Sequence, residues 1–281
     1  MQTLLNTPHE IIQQNILGAA AKAKTRILNI LVLGMMAGSF IAMGAQSSSL
    51  AVHNISNIGL ARTLGGCIFP VGLMMIVFVG GELFTGDCMM SMAWMQRKIH
   101  FADMLRTLVL VYVSNFVGAA LIAFLVAHSG QYDYSSGVLG AYTIKVAYGK
   151  VHLSFANALV SGILCNILVC VAVLMAAAAK DIAGKVLAIF FPILAFVVSG
   201  FEHCVANMYY IPAGIFASKN AAYAAKALEL YNIDSTQLSS LNWGSFAISN
   251  LIPVTIGNII GGALLVGGAC FYLHGKSLHE S

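Results

Sequence analysis

The chain reads as an all-α integral membrane protein. It has six transmembrane helices in an inverted three-plus-three repeat, with helices two and five broken. Three observations predict this. Apolar residues make up 59% of the chain and charged residues only 9%, where a soluble domain carries about a quarter charged. Six runs are long and apolar enough to cross a bilayer, which takes about 20 such residues. Two of those runs carry nearly the same pattern. One reads Phe69-Pro70, an apolar stretch, then Gly80-Gly81-Glu82-Leu83-Phe84-Thr85-Gly86-Asp87. The other reads Phe191-Pro192, an apolar stretch, then Gly200-Phe201-Glu202-His203-Cys204-Val205-Ala206-Asn207-Met208. A carboxylate at membrane depth is costly and marks a functional position. Two of them, in corresponding places of two halves, point to a transporter whose broken helices meet at its centre.

The elements follow in chain order. Thr7-Pro8-His9-Glu10 is a capping box with proline at the first helical position. The helix it opens puts Ile11, Ile12, Ile16 and Leu17 on one side, with Gln13, Gln14 and Lys22 elsewhere. Such a helix lies along a membrane surface. With no basic start and no compact apolar core, the opening is not expected to be a cleaved signal. The first span covers 27–45, with Gly34, Gly38 and Ala42 spaced for close helix approach. A polar stretch, 46–57, separates it from the second span, 66–94. The third and fourth spans are 107–127 and 155–179. The fifth, 186–217, holds the second motif. The sixth, 245–272, carries Gly257, Gly261 and Gly262 for packing, and Pro253, which can bend it. Trp94 and Trp243 fall at span ends, as interfacial anchors do.

Six spans leave both termini on one side. If that side is the cytoplasm, Lys22, Lys24, Arg26, Arg97, Lys98, Arg106, Lys180, Lys185 and Lys276 lie inside. Arg62, Lys145, Lys150, Lys219 and Lys226 lie outside. The excess is in the direction of the positive-inside rule. One membrane domain is expected over 1–281: an amphipathic helix at 1–25, a first repeat at 26–130 and a second at 150–275. Three spans per half force the second repeat to be inverted.

The net charge of +4 is scattered along membrane edges, so no nucleic-acid partner is implied. The six cysteines lie in apolar runs and form no CxxC pair. They read as small buried hydrophobes. No cofactor and no metal site are expected.

The chemistry concentrates at the two motifs. Gly80, Gly81 and Gly86 around Glu82 and Thr85 argue for unwound backbone, since glycine costs about 1 kcal/mol per helical residue relative to alanine. Such backbone must be buried in protein or line a wet cavity. Glu82 and Glu202 are read as caps on the half-helix N-termini, with Asp87 and Asn207 tying down the second half-helices. His203 lies beside a carboxylate, in the copy that mirrors Thr85, and histidine titrates near neutrality. Both are assigned to a pathway. Asn166 and Asn258 can hydrogen-bond across helices, and Lys150 can raise the local concentration of anions.

The two motifs resemble those of the formate/nitrite transporter family, and the resemblance extends over nearly the whole chain, most closely to its hydrosulfide-channel branch. It implies an aquaporin-like fold and a homopentamer with one pore per protomer. It implies transport of small monovalent anions, hydrosulfide foremost, with formate and nitrite close behind. It places the central histidine at His203 and the loop threonine at Thr85, a site that donates either hydrogen bonds or a proton to the anion. Apolar constrictions would involve Phe69, Leu73, Leu83 and Phe196, and a paired asparagine and lysine would be Asn166 and Lys150. The protein would reside in the inner (plasma) membrane.

Two other readings stand beside this one. An intramembrane enzyme using His203 with Cys204 or Glu202 is disfavoured, because adjacent helical residues point about 100° apart. A pore for neutral small solutes of the aquaporin type would lack the paired Asn-Pro-Ala boxes.

Overall fold

A computed structural model describes residues 5–275 and is all-helical apart from one isolated bridge. Lys276 lies outside the described residues. The predicted capping box is present: Thr7 and Glu10 exchange hydrogen bonds at the start of α1 (Pro8–Lys22). Ile12 and Ile16 of α1 are buried against the bundle, while Leu17 is exposed, so the buried face is narrower than the sequence suggested.

Six helices are long and apolar enough to span a membrane. The first, α2 (Ile27–Val52), runs seven residues past its predicted end. The polar stretch that was expected to end it stays helical because its side chains find partners inside. Gln46 donates to Gln131 at 2.5 Å and accepts from Tyr209, and Ser48 donates to the Gly65 carbonyl.

The second span begins earlier than predicted, as α3 (Ile58–Ile68) and α4 (Val71–Val79), which Pro70 separates. It breaks at residues 80–83 and resumes as α5 (Phe84–Asp87), a 3-10 turn and α6 (Ser91–Met95). The third span is α7 (Phe101–Ala127). An unpredicted helix, α8 (Val138–Val151), carries Lys150. It precedes the fourth span, α9 (Phe155–Ala178). The fifth span is α10 (Ile182–Ser199), a break, then α11 (Cys204–Ala217). Pro192 sits inside continuous α10, unlike Pro70, so the two Phe-Pro pairs do different structural work.

Two further unpredicted helices follow, α12 (Ala221–Tyr231) and α13 (Ser235–Ser239). The sixth span, Trp243–His274, comprises α14 (Trp243–Ser245), α15 (Ile252–Ile259) and α16 (Gly267–His274), joined by two π-helical stretches. Thus the six spans and both helix breaks stand where the sequence predicts them, with shifted boundaries.

The halves repeat each other in packing. Helix α2 lies along α7, and α9 along α15. Both pairs approach so closely that a Cβ at Gly118 would stand 2.0 Å from the Met35 carbonyl oxygen, and one at Gly257 would stand 2.2 Å from that of Leu159. Small residues allow this backbone-to-backbone contact.

Candidate functional site

The two breaks are alike in backbone where the second half-helices begin, while the glycines that open them share only a positive φ, with ψ 141° at Gly80 and 29° at Gly200. Gly80 has φ +102° and Gly200 has φ +71°, values that glycine adopts at little cost. The residues that begin the second half-helices, Leu83 and His203, have nearly identical dihedrals, φ −110°, ψ 120° and φ −111°, ψ 116°. In this register Glu82 matches Glu202, Asp87 matches Asn207, and His203 matches Leu83. The expectation that His203 mirrors Thr85 is therefore corrected: Thr85 matches Val205.

The glutamates are not the caps they were expected to be. An unwound segment exposes both a carbonyl and an N–H, and a carboxylate can only accept. An asparagine does both. Asn115 accepts the Phe84 N–H at 3.0 Å and donates to the carbonyls of Gly34 and Glu82, each at 2.8 Å. Asn258 accepts the Cys204 N–H at 2.9 Å and donates to Gly162 and Glu202 carbonyls at 2.8 and 3.0 Å. Both side chains are fully buried. Asn115 was not singled out from sequence. A signal was there: Asn115-Phe116-Val117-Gly118 and Asn258-Ile259-Ile260-Gly261 share the form Asn, two apolar residues, Gly.

The glutamates are instead ion-paired. Lys22 of α1 contacts both Glu82 and Asp87. Lys150 of α8 pairs with Glu202 at 2.8 Å. Asn207 donates to Glu202 at 2.6 Å and to the Asn250 side chain at 2.7 Å, and Asn250 holds the Lys150 carbonyl at 2.9 Å. Asn166 and Lys150, expected as a pair, are apart in their bonding. The Asn166 side chain donates to the Thr85 carbonyl at 3.1 Å and the Asn258 carbonyl at 2.6 Å. Gly81 lies in the first break, and Gly86 lies within α5.

Thr85 and His203 come together although 118 residues separate them: Oγ1 and Nε2 are 3.0 Å apart and buried. The tautomer follows from the neighbouring bond. Nδ1 of His203 accepts the Ala206 N–H at 3.1 Å, so it carries a lone pair. The ring proton is then on Nε2, which donates to Thr85 Oγ1. Among the described residues the Thr85 hydroxyl proton has no acceptor. This arrangement offers one hydrogen-bond donor, the Thr85 hydroxyl, oriented by His203; protonating Nδ1 would break a helix cap.

A cavity of about 280 Å³ is lined by His203, Phe69, Phe196, Arg62, Lys150 and Tyr210, while Thr85 lies behind His203 and does not line it. Phe69 and Phe196 meet edge to face at 5.4 Å, and Phe196 lies 6.1 Å from the His203 ring. The motif-matched Phe191 is exposed instead. Leu73 and Leu83 are buried in the core with Phe69 and Phe196 but do not line this cavity. A wider mouth of about 700 Å³ shares Arg62 and Lys150 with it and adds Lys145 and His53.

A family model described as formate/nitrite transporter matches residues 9–272. The chain is 38% identical over 272 residues to the uncharacterized transporter YrhG of Bacillus subtilis, covering 96% of this chain and 94% of that one. It is 36% identical to the formate channel FocA of Haemophilus influenzae, covering 89% and 88%. A solved pentameric formate channel with formate bound superposes with a TM-score of 0.78 at 31% identity, over 89% of this chain and 98% of that one.

Proposed function

The chain belongs to the formate/nitrite transporter family, and from that premise we propose that it is a channel for small monovalent anions of weak acids. Formate is the reference substrate, because several relatives are named formate channels. Nitrite and hydrosulfide, the latter favoured by the resemblance of the motifs, share its charge and small size. The observation that carries the reading is the buried Thr85–His203 contact between the two halves, with His203 in the wall of a cavity that adjoins a cationic mouth.

The path runs as follows. Lys145 and Lys150 draw an anion into the mouth. It meets the rings of Phe69 and Phe196, with Leu73 and Leu83 as the apolar residues beyond. Losing water there is costly for a charge. The Thr85 hydroxyl, left free to donate because the His203 Nε2–H already points at its oxygen, compensates with a hydrogen bond, which is stronger toward an ion than between neutral groups. Asn166 keeps Thr85 in place through its carbonyl. Gly81 and Gly86 shape the first break, while Glu82, Asp87, Glu202 and Asn207 hold the charged frame. His203 acts by hydrogen bonding, because handing over a proton requires an imidazolium that the Ala206 cap disfavours.

The functional form is a homopentamer with a path in each protomer, in keeping with the pentameric relative. It resides in the inner (plasma) membrane with both termini cytoplasmic. Each protomer is one membrane domain, with repeats at 26–130 and 150–275.

The test is anion flux in proteoliposomes with formate, nitrite and hydrosulfide side by side, for the natural protein and His203→Ala. Flux of formate that the substitution abolishes is the expected result. No flux of any of the three anions would overturn the reading.

A further inference from the structure

The cations around the path are not equivalent. Lys150 shares its charge with Glu202, an ion pair at 2.8 Å. Lys145 belongs to the mouth alone, resting 4.7 Å from the Tyr231 ring centroid. Arg62 of α3 combines three features that neither lysine has together. It lines both the mouth and the inner cavity that His203 borders, as Lys150 does, so it stands at the neck where the two join. Among the described residues no carboxylate lies within ion-pairing distance of it; its recorded hydrogen bond goes from Nη1 to the Val198 carbonyl at 3.3 Å. Its guanidinium rests against Gly200 at the second break, where an added Cβ would stand 3.3 Å from Nη1 and 3.5 Å from both Cζ and Nη2.

We propose that Arg62 is a specificity-determining residue that recognises the two oxygens of a formate- or nitrite-like anion at the neck of the path. The proposal rests on the anion-channel reading above. A guanidinium has five N–H donors, and Val198 uses one. The remaining fork matches two oxygens in a plane, a geometry that a lysine ammonium, a point charge, does not reproduce. Hydrosulfide presents a single acceptor atom and takes only the charge from Arg62. The neck thus favours two-oxygen anions, while the Thr85–His203 site beyond serves any small anion.

Arg62 also sits at the C-terminal end of α10, where a cation stabilises the last carbonyls. The test must separate recognition from this cap. KM and maximal flux are measured in proteoliposomes for formate, nitrite and hydrosulfide, with protein-free vesicles subtracted, for the natural protein, Arg62→Lys and Arg62→Gln. Lysine keeps the charge and can still cap. Arg62→Lys is expected to raise KM for formate and nitrite about tenfold, the size of one charge-assisted hydrogen bond, and to leave hydrosulfide unchanged. Arg62→Gln is expected to raise KM for all three and to flatten their dependence on ionic strength. Maximal flux should persist in both.

If Arg62→Lys shifts all three anions alike, or none, the two-oxygen reading is overturned. If both variants lose maximal flux for every anion, Arg62 is only the cap and the proposal also falls. If the natural protein carries no anion, the failure belongs to the channel reading itself, a result visible before any variant is measured.

Discussion

The two helix breaks share a hydrogen-bonded frame and differ in charge. Each is bracketed by one buried asparagine that accepts an N–H and donates to two carbonyls. Around that common frame, the first break sets one ammonium, Lys22, against two carboxylates, Glu82 and Asp87. The second sets Lys150 against Glu202 alone, with Asn207 in the place of Asp87. Leu83 in one copy is His203 in the other. The difference teaches that asparagines hold the geometry, and that charge and hydrogen bonding vary on top of it. Only one copy supplies the ring that reaches Thr85.

The largest effects are expected at the shared frame. Asn115→Ala or Asn258→Ala removes three hydrogen bonds and leaves buried backbone groups unpaired, each worth about 1–3 kcal/mol. Both variants should lose several kcal/mol and fail to run as assembled protein on size exclusion in detergent. If only one of them fails, the equivalence of the two brackets is broken. Next come the ion pairs. Glu202→Gln leaves Lys150 without a carboxylate, a loss of about 3 kcal/mol for a partly buried charge. Glu82→Gln leaves Lys22 paired with Asp87, so its melting temperature should fall less. Equal falls would show that the charge asymmetry has no energetic meaning.

A smaller change should sharpen the comparison. Asp87→Asn gives the first break the composition of the second. It removes a surplus buried negative charge, one oxygen of which has no partner among the described residues. The variant should be as stable as the natural protein or gain about 1 kcal/mol.

The smallest effect lies at α1, outside the spans. Hydrogen bonds from the Thr7 backbone and hydroxyl hold the Glu10 carboxyl below its usual range. A depressed carboxyl stabilises the fold above its unfolded value, and that contribution is lost as pH falls through the folded one. Proteolysis of α1 should therefore increase on acidification below about pH 4, the ordinary glutamate value. In Glu10→Gln this increase should be absent.

How far the sequence reached follows from the same chemistry. Six spans and both breaks were legible, because apolar length and glycine with glutamate are local signals. The end of α2 was not, since Gln46 and Ser48 look like loop residues until their partners on Gln131, Tyr209 and Gly65 are known. Helix α8 was hidden for a similar reason: its position depends on tertiary contacts, among them Lys150 with Glu202. The capping role fell to the asparagines because a carboxylate cannot donate, an argument available only once both the N–H and the carbonyls are seen to converge. Thr85 and His203 were both singled out, but their meeting comes from the way the inverted halves face each other rather than from equivalent positions in the repeat.

The most direct test of the central claim is formate flux through proteoliposomes bearing His203→Asn. Asparagine is a good N-cap and can still accept the Ala206 N–H, but it is too short to reach Thr85. The variant should fold and assemble like the natural protein while flux falls about ten- to a hundredfold, the worth of one hydrogen bond to an ion. A well-folded variant that carries formate at the natural rate would contradict the claim that Thr85 and His203 together receive the anion.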